Sequence, residues 1–97
     1  MEEKFYSMYD DMTKTYEVVE QMMAAVYDEM VSNPSNEQNY RVLQGLGDIA
    51  LRTLTSQENF VFTYCQDNQI KERMFNRIEE KKEMLRTSLK KDTGKTM

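Results

Sequence analysis

The chain has 97 residues, of which 31% are charged, with a formal net charge of -4 and a mean hydropathy of -0.80. A chain of this length forms one domain at most, and one this polar has too few apolar residues for a large globular core. It contains no histidine, which excludes a Ser-His-Asp triad, a Cys-His pair and any metal site that needs an imidazole.

The glycines do not form a phosphate-binding loop. Gly45-Leu46-Gly47 lacks the third glycine of a dinucleotide-binding motif, and Gly94-Lys95-Thr96 lacks the upstream part of a P-loop. Neighbouring carboxylates such as Asp10 and Asp11 point about 100° apart on a helix and do not converge on a substrate. We therefore predict a protein that is not an enzyme, with no cofactor and no bound metal.

The first predicted element is a helix over about residues 3–31. Its apolar residues recur at alternating steps of four and three, which places them on one helix face at heptad spacing. Further apolar residues beside this heptad stripe widen it, so the helix should contact more than one neighbour. The heptad stripe is predicted to be an oligomer interface. Its members are Phe5, Tyr9, Met12, Tyr16, Val19, Met23, Val26 and Met30.

A turn is predicted at residues 32–35, because Pro34 cannot continue a helix and disfavours helical geometry in the residue before it. Ser35 followed by Gln38 is typical of a capping box, which would start the second helix. Capping by Asn33, with the proline at the first helical position, is the alternative. A connection this short makes the first two helices antiparallel neighbours.

The second helix is predicted over about residues 36–66. A glycine in a helix interior costs about 1 kcal/mol relative to alanine, so two glycines here indicate a structural reason. We predict that Gly45, Gly47 and Ala50 mark close helix packing, with tyrosine and methionine side chains of the first helix filling the notch. The sequence leaves open whether residues 36–91 form one helix or two.

The charge is distributed unevenly along the chain. Residues 1–70 carry a net charge of -8, and residues 71–97 carry +4. A basic helix is predicted over about residues 69–91, followed by a frayed tail at 92–97. This helix is a solvated charged surface, pairs with the acidic body of the chain within an oligomer, or binds an acidic partner such as DNA. The candidate contacts are Lys81, Lys82, Arg86, Lys90 and Lys91.

Together these elements predict one all-α domain over residues 1–97. The expected architecture is an antiparallel helical hairpin with a basic C-terminal helix, coiled-coil-like packing and an oligomeric state. No run of 18 apolar residues or secretory signal is present, and Cys65 is the only cysteine. We expect Cys65 to be a small core residue, and the protein to be cytoplasmic and without a membrane partner, in the host cytoplasm if it is phage-encoded.

A family resemblance lies in residues 12–66. A long acidic helix and a short Asn/Pro/Ser turn precede the segment Tyr40-Arg41-Val42-Leu43-Gln44-Gly45-Leu46-Gly47-Asp48-Ile49, with Thr53 and Asn59 further on. This pattern resembles the central helical hairpin of the small terminase subunit of large contractile-tailed bacteriophages. The resemblance implies a ring-forming, non-catalytic DNA-packaging adaptor. Its basic C-terminal helix would then face DNA or the motor subunit.

A second interpretation is a small helical factor that masks another protein. Such a factor would be a phage anti-host or anti-defence protein, or a secretion chaperone. The wide, methionine-rich stripe favours this interpretation, because methionine adapts to differently shaped partner helices. DNA binding that weakens steeply with salt would separate the adaptor from the masking factor.

Overall fold

A computed structural model describes the backbone of residues 2–94 and the side chains of residues 2–89. Within this part of the chain the secondary structure is three α-helices and no strand: α1 (Glu2–Ser32), α2 (Gln38–Tyr64) and α3 (Asn68–Gly94). The prediction of an all-α fold is confirmed. The break after Tyr64 means that the chain from 36 to 91 forms two helices rather than one.

The helix ends differ from the predicted bounds by one to three residues. The second helix starts two residues later and ends two residues earlier than the predicted 36–66. Because α3 continues to Gly94, the predicted frayed tail is helical at residues 92–94, and the rest of that tail, residues 95–97, lies outside the described residues. Over residues 2–94, none of the helices has the length and apolar content needed to cross a bilayer.

The link between α1 and α2 covers residues 33–37. Asn36 Oδ1 accepts a hydrogen bond from the backbone N–H of Gln38 at 3.1 Å. The Ser35 hydroxyl instead donates to Asn33 Oδ1 at 3.5 Å. The expected capping box is therefore not formed, because an asparagine side chain one residue further along satisfies the first exposed N–H of α2.

A side-chain cap separates α3 from α2. Asp67 Oδ1 accepts hydrogen bonds from the backbone N–H groups of Gln69, at 2.9 Å, and Ile70, at 3.2 Å. An aspartate in this position satisfies two of the four free N–H groups at a helix start and carries a charge that suits the helix dipole. The cap therefore stabilises the start of α3 after the three-residue break.

The first two helices run in opposite directions. Near the start of α1, the Phe5 ring stacks on Phe60, with centroids 5.1 Å apart and planes at 7°. One helical turn further along α1, Gln57 Nε2 donates to the carbonyl oxygen of Tyr9 at 3.2 Å and to Thr13 Oγ1 at 2.8 Å. The start of α1 therefore lies beside the end of α2.

The third helix packs against α2, and its side chains also reach α1. The rings of Phe62 and Phe75 lie 6.3 Å apart, and Lys81 Nζ reaches to 5.3 Å from the Tyr16 ring centroid on α1. Backbone packing joins α1 to α2 and α2 to α3. Thus α2 is the central helix of a molecule measuring 50 × 21 × 14 Å.

The core lies along α2. Ala50, Leu54 and Val61 have no exposed surface, and α3 contributes Ile78 and Leu85. The large side chains of the heptad stripe cover the α1 side of this core. Burial of these side chains is the main stabilising term for the fold, at roughly 25 cal/mol per Å² of apolar surface.

The notch predicted at the glycines of α2 is found at Gly47 and is filled by a different helix. A Cβ atom built on Gly47 would lie 2.6 Å from Leu89 Cδ1 of α3, a separation that real Cβ contacts essentially never show. Nothing lies within 4 Å of a Cβ built on Gly45, which is exposed. Gly47 and the buried Ala50 therefore lie in packed positions, and Gly45 does not.

Candidate protein-interaction surface

Nine large apolar side chains of α1 and α2 are exposed, and five of these lie on one side of the helix pair. Met8, Val18 and Met22 of α1 are 49%, 51% and 51% exposed, and Val42 and Ile49 of α2 are 48% and 50% exposed. These five residues define a surface that we call the open face. Single exposed apolar residues are ordinary, but several on one side of a helix pair are typical of an interaction surface.

Helix geometry places the open face on the side of the molecule away from α3. Successive helical residues are about 100° apart, so Val18 and Met22 both point away from Glu20. Glu20 lines a hollow of about 530 Å³ between α1 and α3. Ile49 lies nine residues from Glu58, so the two side chains point to opposite sides of α2. Glu58 contacts α3, and Ile49 therefore points away from it. No described helix covers the resulting strip along α1 and α2.

A pocket of about 480 Å³ lies at one end of the molecule, where α1 begins and α2 ends, and Met8 of the open face is part of its wall. The stacked rings of Phe5 and Phe60 form another part of that wall. This end pocket is a concave feature at one end of the open face. Its lining residues are Glu2, Lys4, Phe5, Tyr6, Met8, Phe60, Tyr64, Cys65, Gln66, Asp67 and Ile70.

The structure places the predicted oligomer-interface residues on the side of α1 that packs against α2 and α3 of the same chain. The buried members of the heptad stripe are Tyr9, Tyr16, Val19 and Met23, and the partly buried members are Phe5, Met12, Val26 and Met30. Their burial does not require a second chain. The open face flanks the stripe on α1, and the oligomeric state stays a prediction.

One of the basic candidates, Lys82, lies inside the α2–α3 contact. It is 6% exposed, and its Nζ lies 3.2 Å from Glu58 Oε1 and 3.7 Å from Glu79 Oε1. A hydrogen bond with the Glu58 carboxyl group, together with the charges of Lys82 and Arg86, holds the pKa of Glu79 below its ordinary value. We withdraw Lys82 as a phosphate-binding residue because its charge is buried and paired.

The remaining basic candidates do not form a free patch among the described side chains. Lys81 is partly buried over an aromatic ring of α1. Arg86 is exposed, and its Nη1 lies 3.4 Å from Glu83 Oε1. The side chains of Lys90 and Lys91 lie outside the described residues.

Two tyrosines of α1 have raised pKa values. Burial, reinforced by the charge of Glu20 and a hydrogen bond to it, raises the pKa of Tyr16 to about 12. Burial also raises the pKa of Tyr9, and the nearby Arg77 partly opposes this shift. General acid–base catalysis works best with a pKa close to the working pH, and these shifts move both phenols away from it.

The sequence did not indicate that Gln57 would be a core residue. It is 1% exposed, and its Nε2 joins α2 to α1 through Tyr9 and Thr13. Its Oε1 is buried without a hydrogen-bond partner, a state that costs roughly 1–3 kcal/mol. Gln57 lies within a polar segment that is also typical of a helix start, and only the packing of α1 shows its role.

The described side chains give no sign of a metal centre. Cys65 is buried, and its thiol donates to the carbonyl oxygen of Asp67 at 3.5 Å. Among residues whose side chains are described, no group of three or more Cys, Asp or Glu residues is placed to hold a metal ion.

Comparison of the chain with models of protein families, with curated proteins and with solved structures found no match. The fold and surface therefore define only a class: an all-helical chain of three packed helices with an exposed apolar face. The likeness to small terminase subunits stays a prediction.

Proposed function

We propose that the protein is a non-catalytic helical oligomerisation module that binds copies of itself through the open face. The observation that carries this proposal is the strip of five half-exposed apolar side chains on the side of α1 and α2 away from α3. Packing between helices through such strips is the usual means by which small helical proteins supply the buried surface that one chain lacks.

The size of the hydrophobic term supports a reversible complex. Fully burying one such side chain contributes about 1.5–3 kcal/mol, so covering five half-exposed ones contributes roughly 5 kcal/mol per face. Two faces in contact contribute roughly 10 kcal/mol, against an association cost of about 4–15 kcal/mol. Because these terms are comparable, we expect association to depend on protein concentration.

The test introduces a charge into the open face. Val18→Glu places a carboxylate in the strip, and Met84→Glu places the same charge at a 73% exposed position on α3 as the matched control. In sedimentation equilibrium, Val18→Glu should weaken association by at least tenfold and Met84→Glu by less than twofold. Equal effects of the two substitutions would contradict the assignment of the open face.

A narrower form of the proposal is the DNA-packaging adaptor. It is supported by the excess of basic over acidic residues in α3 and by the terminase resemblance. Under this proposal, Lys81→Glu combined with Arg86→Glu should abolish a DNA affinity that falls steeply with salt, and Lys14→Glu on α1 should not. Binding of DNA that survives both α3 substitutions would place the site elsewhere.

The second candidate is a factor that masks another protein, either a phage anti-host or anti-defence protein or a secretion chaperone. The presence of two methionines, Met8 and Met22, in the open face favours it, because methionine packs against surfaces of different shapes. This candidate predicts a chain that does not self-associate and does not bind DNA. The sedimentation and DNA experiments therefore also distinguish it from the adaptor.

A further inference from the structure

We infer that the open face pairs with the open face of a second copy about a two-fold axis perpendicular to the helices, so that α1 lies antiparallel to α1 of the second copy. This inference rests on the proposed function and adds the partner, the symmetry and the register. A two-fold contact uses the same patch on both chains and closes on itself. A ring of many copies would instead need two different surfaces.

The charges at the two ends of the face fit this symmetry. Lys4 lies two heptads before Val18, and Glu29 lies one heptad after Met22, so both continue the line of the open face along α1. They stand at nearly equal distances from the middle of the helix, which spans Glu2–Ser32. A two-fold axis at that middle brings Lys4 of each copy opposite Glu29 of the other.

The end pocket fits the same register. Lys4 and Met8 line it from α1, and Phe60 and Tyr64 line it from α2. The symmetry that pairs Lys4 with Glu29 places Ala25 of the second copy opposite Met8, at the pocket mouth. Alanine is small, so the two α1 backbones can approach closely there. Opposite charges then lie beside the Met8–Ala25 contact at both ends of the complex, and Asp11 of each copy lies opposite Met22 of the other.

The area available matches a stable dimer. At 1.5 Å per residue, the 31 residues of α1 extend about 46 Å. Two adjacent helices are roughly 20 Å wide, so a strip along them offers on the order of 800 Å² per copy. Specific protein interfaces bury about 800 Å² per partner. A second copy therefore covers the open face without further elements.

Charge exchange across the axis tests the register. In a two-fold dimer the contact between positions 4 and 29 occurs twice. Lys4→Glu turns both contacts into pairs of negative charges, and Glu29→Lys turns both into pairs of positive charges. At low salt each should weaken dimerisation about three- to tenfold. The double variant Lys4→Glu/Glu29→Lys restores both pairs and should return to within about twofold of the wild type. Asp28→Lys, which changes the charge one residue away from the line of the face, is the control and should have little effect.

A mixture gives a more specific result. When the Lys4→Glu chain is mixed with an isotope-labelled Glu29→Lys chain, both contacts in the mixed dimer join opposite charges. Native mass spectrometry should therefore show the mixed dimer in clear excess over either homodimer. Dimers that form at random, or a double variant as weak as the single ones, would overturn the two-fold register. Failure of the wild-type chain to associate at any concentration would overturn the proposed function as well.

Discussion

The ion pair between α2 and α3 gives a prediction whose size follows from the structure. Lys82→Met keeps the length of the side chain and removes its charge. It leaves the carboxylates of Glu58 and Glu79 facing each other without the ammonium that lies 3.2 and 3.7 Å from them. Breaking a fully buried pair costs about 3–5 kcal/mol. The glutamate side chains are 25% and 54% exposed, so solvent screening lowers the expected loss to roughly 2 kcal/mol.

Arg86→Met is the matched control. Arg86 is also paired with the glutamate three residues before it, but both members of that pair are exposed. The control should therefore change the free energy of unfolding by less than about 0.5 kcal/mol. Urea unfolding followed by circular dichroism measures both variants. The double variant Lys82→Met/Glu58→Leu should recover much of the loss, because it replaces the pair with apolar contact. Equal losses for the two methionine variants would refute the buried pair.

The difference in unfolding free energy between the wild type and Lys82→Met should depend on pH with a definite sign. The pKa of Glu79 is lowered in the folded chain from its ordinary value of 4.5. Its contribution to stability is therefore present above that value and is lost as the pH falls through the folded-state pKa. The difference between wild type and Lys82→Met should shrink in the same acidic range. A constant difference across that range would show that the carboxylates are not part of the pair.

Three further predictions concern single positions. Gly45→Ala should raise the free energy of unfolding by about 1 kcal/mol, because nothing lies close to the added methyl group. Gly47→Ala should raise it by less, or lower it, because the methyl group must displace a leucine of α3. Equal gains for the two variants would contradict the notch at Gly47. In an absorbance titration, the difference between wild type and Tyr16→Phe should show a phenol ionising near pH 12. Because that folded pKa is raised, its contribution to stability is complete below about pH 10 and declines as the pH rises through 12; a phenol that titrates at the ordinary value would contradict its burial. Gln57→Leu should change stability by less than about 1 kcal/mol, since it removes two hydrogen bonds and an unpartnered buried oxygen together; a loss above about 2 kcal/mol would show that the oxygen has a partner.

The all-helical fold followed from local signals. Heptad spacing over residues 5–30 and a single proline after it were sufficient to predict α1 and its end. The break before α3 depended on Asp67, whose side chain accepts two backbone hydrogen bonds. An aspartate followed by a polar helix start is a recognisable cap. Separate helices over residues 36–66 and 69–91 were predicted, with one continuous helix left open, and the Asp67 cap belongs to the two-helix arrangement.

The surface could not be predicted in the same way, because it depends on which helix covers which face. The sequence indicated a wide stripe on α1 but not that α2 and α3 would bury half of it and leave Met8, Val18 and Met22 exposed. Periodicity likewise could not show that Lys82 would pair inside the bundle rather than face solvent. Both outcomes are set by packing between elements that are distant in the sequence.

The central claim is that the open face binds a second copy of the chain, and native mass spectrometry of the wild-type protein over a wide range of concentrations tests it most directly. The account predicts monomer at low concentration and dimer at high concentration, with no larger closed species. A chain that stays monomeric throughout would contradict self-association. A ring of many copies would contradict the two-fold contact and would favour the packaging adaptor.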